Sequence, residues 1–174
     1  NLGSALAGSI AATRLSANTT SGFSIVRWIG NGTSSATIAH GLSETPELII
    51  NKNYSDTGGV SWVVYSSAIM PTTSNTDRLV LNSAAAEAAD ATIGAVTATT
   101  WEPSNTTGSV NGTGASYVTY CFHSVEGYSK VGSYTGNNDA DGAFVYTGFK
   151  PAFVLIKEVA ISRDWVMFDD KRSP

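Results

Sequence analysis

The sequence predicts an all-β protein, an antiparallel β-sandwich of jelly-roll-like type built from two half-repeats. Two observations support this prediction. Short segments rich in β-branched and aromatic residues recur along the chain and are separated by turns rich in Gly and Asn, a pattern typical of strands joined by short connections. One ordered set of these segments also occurs twice, and repetition of a structural unit indicates a fold assembled from equivalent parts.

The repeat relates residues 22–65 to residues 127–168. The first copy reads GFSIVRWIGNG, AHGL, TPELIINK and SWVVY, and the second reads GYSKVGSYTGNN, YTGF, KPAFVLIK and DWVMF. In this alignment Pro46 matches Pro151, and Trp62 matches Trp165. The shared positions are turn glycines, apolar strand residues and one proline, so the repeat predicts a building block rather than an active site.

This pattern divides the chain into an N-terminal arm or linker over residues 1–21 and a β-sandwich domain over residues 22–174. The first half-repeat covers residues 22–126, and a partial second half-repeat covers residues 127–174. The arm is rich in Ala, Ser and Thr. A short helix and an extended arm lying on a neighbouring molecule both remain open for it.

The individual strands follow from local composition. Strands are predicted over residues 23–29, 36–40, 47–52, 60–66, 78–82, 95–101 and 116–125. The apolar run within 47–52 predicts a strand buried on both faces. Segment 116–125 carries bulky side chains at alternating and neighbouring positions, so we place it at the centre of a sheet. The Ala-rich segment 84–91 is predicted to be a loop with a helical turn.

Composition excludes several functional classes. Hydrophobic residues make up 42% of the 174 residues and the net charge is only −4, so the chain is not of the disordered class. Scattered Lys and Arg in an acidic chain argue against nucleic-acid binding. No apolar run reaches the roughly 18 residues of a membrane span.

The opening residues lack a signal-peptide pattern, and the sequence begins with Asn1 rather than with Met, so we expect a piece of a longer protein. A surface rich in Thr, Ser, Asn and Gly is typical of an extracellular or virion β-protein.

Few residues are candidates for metal or nucleophilic chemistry. Asn137, Asp139 and Asp141 occupy the first, third and fifth positions of a calcium-loop pattern, but Gly148 stands where that pattern requires Glu. We favour an acid-rich hairpin turn there, with a weak calcium site as the alternative, and we predict no cofactor. Cys121 is the single cysteine and is predicted to be a small buried hydrophobe.

The two histidines are interpreted as structural. His40 ends a predicted strand and is expected to form hydrogen bonds there, while His123 is expected to pack in the sheet. Carboxylate pairs such as Asp169 with Asp170 could serve glycoside hydrolysis only at a suitable separation. We therefore predict no catalytic residue.

Aromatic and polar loop residues are the candidates for ligand contact. Loops are predicted at residues 53–59, 72–77 and 102–114. Trp62 and Trp165 lie in predicted strands, so core packing is favoured for both, whereas Trp101 borders a polar loop and is favoured for surface contact. The predicted ligand-binding residues are Tyr54, Asp56, Trp101 and Asn105.

Two long strings are distinctive when taken together. These are GFSIVRWIGNG, AHGL, PELIINK and WVVY, followed by YVTYCFHSVEGYSKVGSYTGNNDADGAFVYTGFKPAFVLIK. They resemble a domain of large tail-fibre and other virion proteins of marine bacteriophages, especially cyanophages. The resemblance covers residues 20–174. It implies a location in the virion, as an extracellular appendage, and it supplies no catalytic residues. In that family the domain runs on past the string KRSP, which implies a second sheet completed by further residues or by strands of a neighbour.

We therefore expect a virion structural protein, a tail-fibre-type module that contributes to attachment to a host-surface glycan and is not an enzyme. The expected partners are further copies of the chain, in a homotrimer or higher assembly, other virion proteins and host polysaccharide. An architectural decoration or filament subunit without glycan binding is the main alternative. A polysaccharide depolymerase is the less favoured one.

Overall fold

A computed structural model describes residues 8–69, 77–89 and 92–172 of the chain. Within these residues the protein is an all-β antiparallel β-sandwich without helices, which confirms the predicted fold class. The strands are β1 (Ala12–Asn18), β2 (Phe23–Ile29), β3 (Ile38–Ala39), β4 (Leu48–Asn53), β5 (Val63–Ser66), β6 (Asp77–Val80), β7 (Ala88–Ala89), β8 (Ile93–Val96), β9 (Thr100–Pro103), β10 (Ser116–Phe122), β11 (Phe153–Ile156) and β12 (Val166–Asp169).

The strands form three sheets. A seven-stranded main sheet has the order β1-β2-β10-β4-β5-β6-β7, a three-stranded small sheet has the order β3-β9-β8, and β11 and β12 form a separate hairpin. Strand β10 lies between β2 and β4 and pairs with each of them. The predicted central position of segment 116–125 is therefore confirmed.

The core lies between the main and small sheets. Alternate side chains of β2 and β10 face inward, as the two-residue period of a strand requires. Trp28 of the main sheet stacks on Tyr117 at a ring-centroid distance of 4.4 Å and meets Trp101 of the small sheet edge-on at 5.8 Å. All three side chains are 0% exposed. The aromatic contacts therefore join the two layers.

Strand β4 is buried on one face only. Its inward residues Ile49 and Asn51 are 0% exposed, whereas Leu48, Ile50 and Lys52 are partly exposed on the outer face. The prediction of a strand buried on both faces is wrong. An apolar run cannot by itself distinguish a strand covered on both sides from one with a half-exposed apolar face.

The N-terminal segment is part of the main sheet. Strand β1 pairs antiparallel with β2, with Leu15 opposite Val26. A separate arm or linker is therefore wrong for residues 12–18. Among the other residues of the predicted arm, Ile10 forms an isolated bridge with Ile38, residues 19–21 form the turn into β2, and residues 1–7 lie outside the described residues. Hydrogen bonding to β2 stabilises an extended conformation for a segment whose own sequence favours no regular structure.

The predicted helical turn in segment 84–91 is also wrong where the segment is described. Residues 84–89 hold no helical turn, and Ala88 and Ala89 instead pair with Arg78 and Asp77 of β6. Residues 90 and 91 lie outside the described residues. Pairing with a sheet edge here outweighs the helical propensity of alanine.

The two copies of the predicted repeat correspond most closely at one hairpin. In β4–β5, Ile49 lies opposite Tyr65, and in β11–β12 the aligned residue Val154 lies opposite Phe168. The three other residue pairs of the two hairpins also correspond in register. The second-copy segment aligned with β2 forms no strand among the described residues. The two-half-repeat organisation and the jelly-roll-like connectivity therefore stay predictions.

Candidate functional site

Two of the predicted ligand loops meet at one end of the main sheet. The first loop, residues 53–59, begins at the last residue of β4, and residues 105–114 of the second precede β10. The Asn53 side chain donates a hydrogen bond to the carbonyl oxygen of Gly108 at 2.8 Å, and Asn51 donates to that of Ser109 at 3.3 Å. We call these two segments together the loop rim. The third predicted loop, residues 72–77, lies outside the described residues except for Asp77.

The first segment of the rim is held by side chains that cap its own backbone. The Oδ1 atom of Asn53 accepts hydrogen bonds from the N–H groups of Ser55 at 3.0 Å and Asp56 at 3.1 Å. The Oγ atom of Ser55 accepts from the N–H of Ser116, the first residue of β10, at 2.9 Å. Asp56 accepts from the N–H of Gly58. These Asx-type turns fix the loop without burying it.

Tyr54 is the exposed aromatic side chain of the rim. Its side chain is 45% exposed. The Arg27 guanidinium lies 4.9 Å from the ring centroid, and its Nε donates a hydrogen bond to the Tyr54 hydroxyl at 3.0 Å. This hydrogen bond lowers the pKa of Tyr54. Arg27 therefore holds the ring in one orientation while much of it stays exposed.

The second segment of the rim is fixed by buried and half-buried polar groups. Gly108 also accepts a hydrogen bond from the Tyr117 hydroxyl at 2.7 Å, and the same hydroxyl accepts from the N–H of Gly112 at 2.7 Å. Asn105 is half-buried, and its Oδ1 accepts hydrogen bonds from the N–H and hydroxyl of Thr107. The segment is thereby tied to an aromatic residue of the core.

Trp101 does not belong to the rim. It is 0% exposed and packs edge-on against Trp28, so its prediction as a surface contact is wrong. Residues Thr100–Pro103 form β9, and the alternate residues Trp101 and Pro103 face the core. The polar residues that follow β9 led the sequence analysis to place a loop from residue 102 onward, next to Trp101. Of the predicted ligand-binding residues, Tyr54 and Asp56 lie in the first segment of the rim and Asn105 lies in the second.

A buried polar chain connects the rim to the core. Trp28 Nε1 donates to Thr119 Oγ1 at 2.9 Å, and this hydroxyl donates to Asn51 Oδ1 at 2.8 Å. Trp28, Thr119 and Asn51 are all 0% exposed. Because Asn51 also bonds Ser109 of the rim, the position of that loop depends on the centre of the sandwich.

A second candidate site lies at the opposite end of β2 and β10. It is an open cleft of about 630 Å³, lined by Thr19, Thr20, Ser43, Glu44, Thr45, Glu47, His123, Ser124 and Val125. The Glu47 carboxylate accepts a hydrogen bond from the N–H of Ser124. His123 is 7% exposed and its Nδ1 lies 2.8 Å from the carbonyl oxygen of Ser124. We call this surface the polar cleft.

Sequence reasoning missed the polar cleft because three separate segments build it. The turn between β1 and β2, the loop before β4 and the residues after β10 meet only in the folded chain. None of them carries a spacing that marks a site. In the sequence, the Ser and Thr residues of the cleft do not stand out from the many other Ser and Thr residues of the chain.

Both histidines have structural surroundings. His40 is 0% exposed; its Nε2 lies 3.1 Å from the carbonyl oxygen of Thr97, and its Nδ1 accepts from the N–H of Leu42 at 3.1 Å. Burial lowers the pKa of His40, which the contact with Thr97 partly offsets. The predicted hydrogen-bonding role at a strand end is confirmed. His123 is buried at the end of β10, as the packing prediction expects.

Cys121 is a buried side chain within β10. Burial raises the pKa of its thiol to about 12, so the reactive thiolate is strongly disfavoured at neutral pH. The prediction of a small buried hydrophobe is confirmed.

The aligned residues Trp62 and Trp165 are half-buried rather than part of the core. Trp62 stacks on Tyr120 at 6.5 Å on the outer face of the main sheet. Trp165 Nε1 donates to the carbonyl oxygen of Val80 at 2.9 Å. The prediction of core packing is wrong for both, because each lies just before its strand.

The acid-rich segment around Asp139 is an exposed turn. Asn137 Oδ1 accepts from the N–H of Asp139 at 3.2 Å, and Asp139 Oδ1 accepts from the N–H of Asp141 at 2.9 Å. These local bonds form two consecutive Asx-type turns within the segment. No strands flank the turn in residues 131–152, so it is not a β-hairpin turn as predicted.

The described residues contain neither a metal-binding cluster nor a membrane-spanning helix. Among residues 8–69, 77–89 and 92–172, no three His, Cys, Asp or Glu side chains come together in a way that could hold a metal ion. The same residues form no helix with the length and apolar character of a membrane span.

The comparison with known families places the chain in one family. The family described as "Domain of unknown function (DUF7483)" matches residues 3–174. The chain therefore belongs to this family. No curated protein and no solved structure matches it.

Proposed function

We propose that the chain is a structural and adhesive module of a tail-fibre-type virion appendage, displayed in several copies, whose loop rim contributes to attachment to a host-surface glycan. The observation that carries this proposal is the rim itself. Two loops are locked to each other and to the core by the Asn51 and Asn53 side chains, while the Tyr54 ring remains exposed.

The chemistry of the rim suits a neutral sugar. Asn, Ser and Thr side chains both donate and accept hydrogen bonds, as sugar hydroxyls do. An aromatic ring offers a flat apolar surface with two side-chain torsions to restrict. Because Arg27 already orients Tyr54, less conformational entropy is lost on binding.

Weak contacts of this kind become effective when many act together. A module carried in several copies converts later binding events into intramolecular ones, so avidity can exceed single-site affinity by about 10²–10⁴-fold. The expected partners are further copies of the chain, other virion proteins and surface polysaccharide. The proposed role is non-enzymatic. It is extracellular, on the virion.

The test is binding of a multivalent display of the chain to an array of surface polysaccharides. We expect Tyr54→Ala to reduce retention by roughly tenfold or more, since stacking and hydrogen bonding to one aromatic contribute about 1–2 kcal/mol and act in every copy. Tyr134→Ala is the matched control, because Tyr134 is similarly exposed at 52% against 45% for Tyr54.

A third variant distinguishes the rim from the polar cleft. Glu44→Gln removes an exposed carboxylate of the cleft and should leave retention unchanged. Glycan binding lost with Glu44→Gln and kept with Tyr54→Ala would move the site to the cleft. An array with no binding to any polysaccharide would refute the adhesive part of the proposal.

The second candidate is an architectural decoration or filament subunit. It is favoured by the distribution of exposed apolar residues: within the described ranges, ten of the twelve large exposed apolar side chains lie from Tyr128 to Phe168. Such clustering is typical of an interaction surface. This alternative predicts ordered assembly with no glycan retention.

A depolymerase receives no support from the carboxylate pair Asp169–Asp170. Hydrogen bonds from Arg172 and Lys171 lower the pKa of Asp169, and Asp170 pairs with the Lys171 ammonium at 3.2 Å. Both acids are thus engaged by neighbouring residues of one turn.

A further inference from the structure

The hairpin β11–β12 has the register of a buried hairpin but not its surroundings. All four of its residue pairs match those of β4–β5. In the first hairpin, Val63, Val64 and Tyr65 are 0%, 1% and 6% exposed. The aligned residues of the second are 44%, 49% and 54% exposed, namely Val166, Met167 and Phe168.

The two hairpins also differ in their neighbouring strands. Strand β4 pairs with β10 on the edge away from β5. In the described part of the chain, β11 pairs with β12 alone. An uncovered edge strand with apolar side chains is a template for pairing with another strand. Because β10 pairs antiparallel with β4 in the hairpin β4–β5, we expect an antiparallel neighbour at the corresponding free edge of β11.

We propose that β11 pairs edge to edge with β11 of a second copy of this chain, antiparallel across a twofold axis. Two hairpins then become one four-stranded sheet with the order β12-β11-β11-β12. The proposal concerns assembly and is independent of glycan binding at the loop rim. A twofold contact gives a dimer, or a dihedral assembly when combined with the predicted trimer.

Backbone hydrogen bonding limits the register of this pairing. The carbonyl oxygen of Ala152 accepts from the N–H of Asp170 at 3.0 Å, so the backbone polar groups of Ala152 point toward the β12 side. Those of Phe153 and Leu155 therefore point toward the free edge, because these directions alternate along a strand. The backbone N–H and C=O groups of Phe153 pair with those of Leu155 of the partner subunit when these two residues lie opposite each other. The twofold axis then passes at Val154.

Charge favours the same register. Continuing it outward from the strand places the exposed Lys150 opposite Glu158 of the partner subunit, and symmetry repeats the pair on the other side. Both Lys150 and Glu158 are exposed in the single chain. The four residues of β11 itself, Phe-Val-Leu-Ile, are uncharged. The edge thus has an apolar centre, with Lys150 at one end and the adjacent Lys157 and Glu158 at the other. The Lys157 ammonium donates to the carbonyl oxygens of Ala84 and Glu158 within its own chain, so we assign the Glu158 carboxylate as the partner of Lys150 across the twofold axis.

Exposed apolar residues of the hairpin, and of the segment that precedes it in the sequence, are the candidates for the further buried area that strand pairing alone lacks. Phe144 is 91% exposed, Tyr146 is 79% exposed and Phe153 is 56% exposed. Stable interfaces bury about 1,200–2,000 Å² in total, more than one pair of short strands provides. Covering these aromatic residues together with Met167 and Phe168 would bury five of the large apolar side chains that are exposed in the described part of the chain.

The test is sedimentation equilibrium of the 174-residue chain from about 1 to about 100 µM, a range that covers micromolar association. We expect a monomer–dimer equilibrium for the unaltered chain. Leu155→Pro removes an N–H from the free edge without removing a bond to β12, since an edge strand tolerates proline on its open side. It should raise the dissociation constant of the dimer at least about 30-fold, which corresponds to about 2 kcal/mol of binding free energy.

A charge exchange tests the register even if the proline variant fails to fold. Glu158→Lys and Lys150→Glu should each weaken dimerisation by about tenfold, because each creates two like-charge contacts. The double variant should restore it to within about threefold of the unaltered chain. Glu126→Lys, at an exposed site away from the hairpin, is the matched control and should have no effect.

Three results would overturn the proposal. A chain that stays monomeric across the whole concentration range excludes a second copy as the occupant of this edge. A folded Leu155→Pro variant that still dimerises fully places the contact elsewhere. Single charge variants that weaken association without rescue in the double variant exclude the Lys150–Glu158 register.

Discussion

Thr119 offers the sharpest test of how the core supports the loop rim. Its hydroxyl accepts a hydrogen bond from Trp28 Nε1 at 2.9 Å and donates one to Asn51 Oδ1 at 2.8 Å. Thr119→Val keeps the shape of the side chain but removes both interactions. Trp28 and Asn51 are 0% exposed, so water cannot replace the lost partner without a rearrangement.

The expected cost follows from leaving two buried polar groups without a partner. Each such group costs about 1–3 kcal/mol, so Thr119→Val should reduce the free energy of unfolding by about 2–6 kcal/mol. Thr119→Ser is the matched control, since it keeps the hydroxyl and loses one methyl group, at a cost of about 1 kcal/mol. The valine variant should therefore be the less stable of the two.

Urea-induced equilibrium unfolding measures this difference. The midpoint should fall for both variants, further for Thr119→Val, at an unchanged dependence of free energy on urea concentration. Hydrogen exchange should also quicken in residues 105–114 of the valine variant, because Asn51 bonds Ser109. The reasoning is refuted if Thr119→Val lies within about 0.5 kcal/mol of the unaltered chain, or is more stable than Thr119→Ser.

Three further predictions concern the core. Burial holds the pKa of the Cys121 thiol at about 12, above its ordinary value of 9.0. Because the thiol of the unfolded chain ionises first as pH rises, its contribution to stability is complete below pH 9 and is lost by about pH 12. A plot of the free energy of unfolding against pH should lack this loss for Cys121→Ala. Gly30→Ala should destabilise the fold by more than about 1 kcal/mol in thermal unfolding, because the added Cβ would lie 2.2 Å from the Gly112 carbonyl oxygen. Trp101→Ala should cost about 3–5 kcal/mol in urea unfolding and Trp62→Ala distinctly less, since only Trp101 is fully buried; equal costs would contradict the assignment of the core.

The strands that sequence predicts best are those whose side chains alone specify burial. Strand β10 alternates large inward residues with partly exposed outward ones, and its central place follows from bulk on both faces. Strand β1 could not be found this way. It is rich in small and polar residues, and its conformation depends on hydrogen bonds to β2, a partner that a local pattern does not reveal.

The candidate site was predictable only in part, for the same reason. Turn-forming Asn, Ser, Asp and Gly residues mark the loop at 53–59, so the sequence places Tyr54 and Asp56 in an exposed loop, as the structure does; their role as ligand contacts stays a prediction. Trp101 was misplaced because burial depends on a four-residue strand beside a polar loop. The polar cleft was missed because its residues come from three distant segments.

The most direct test of the central proposal is an electron-microscopy map of an intact particle that carries this chain. The proposal predicts multiple copies on a projecting appendage, with the loop rim and Tyr54 facing outward, away from the particle axis. A map in which Tyr54 is buried between subunits of a closed lattice or filament would contradict attachment through the rim and favour the architectural role.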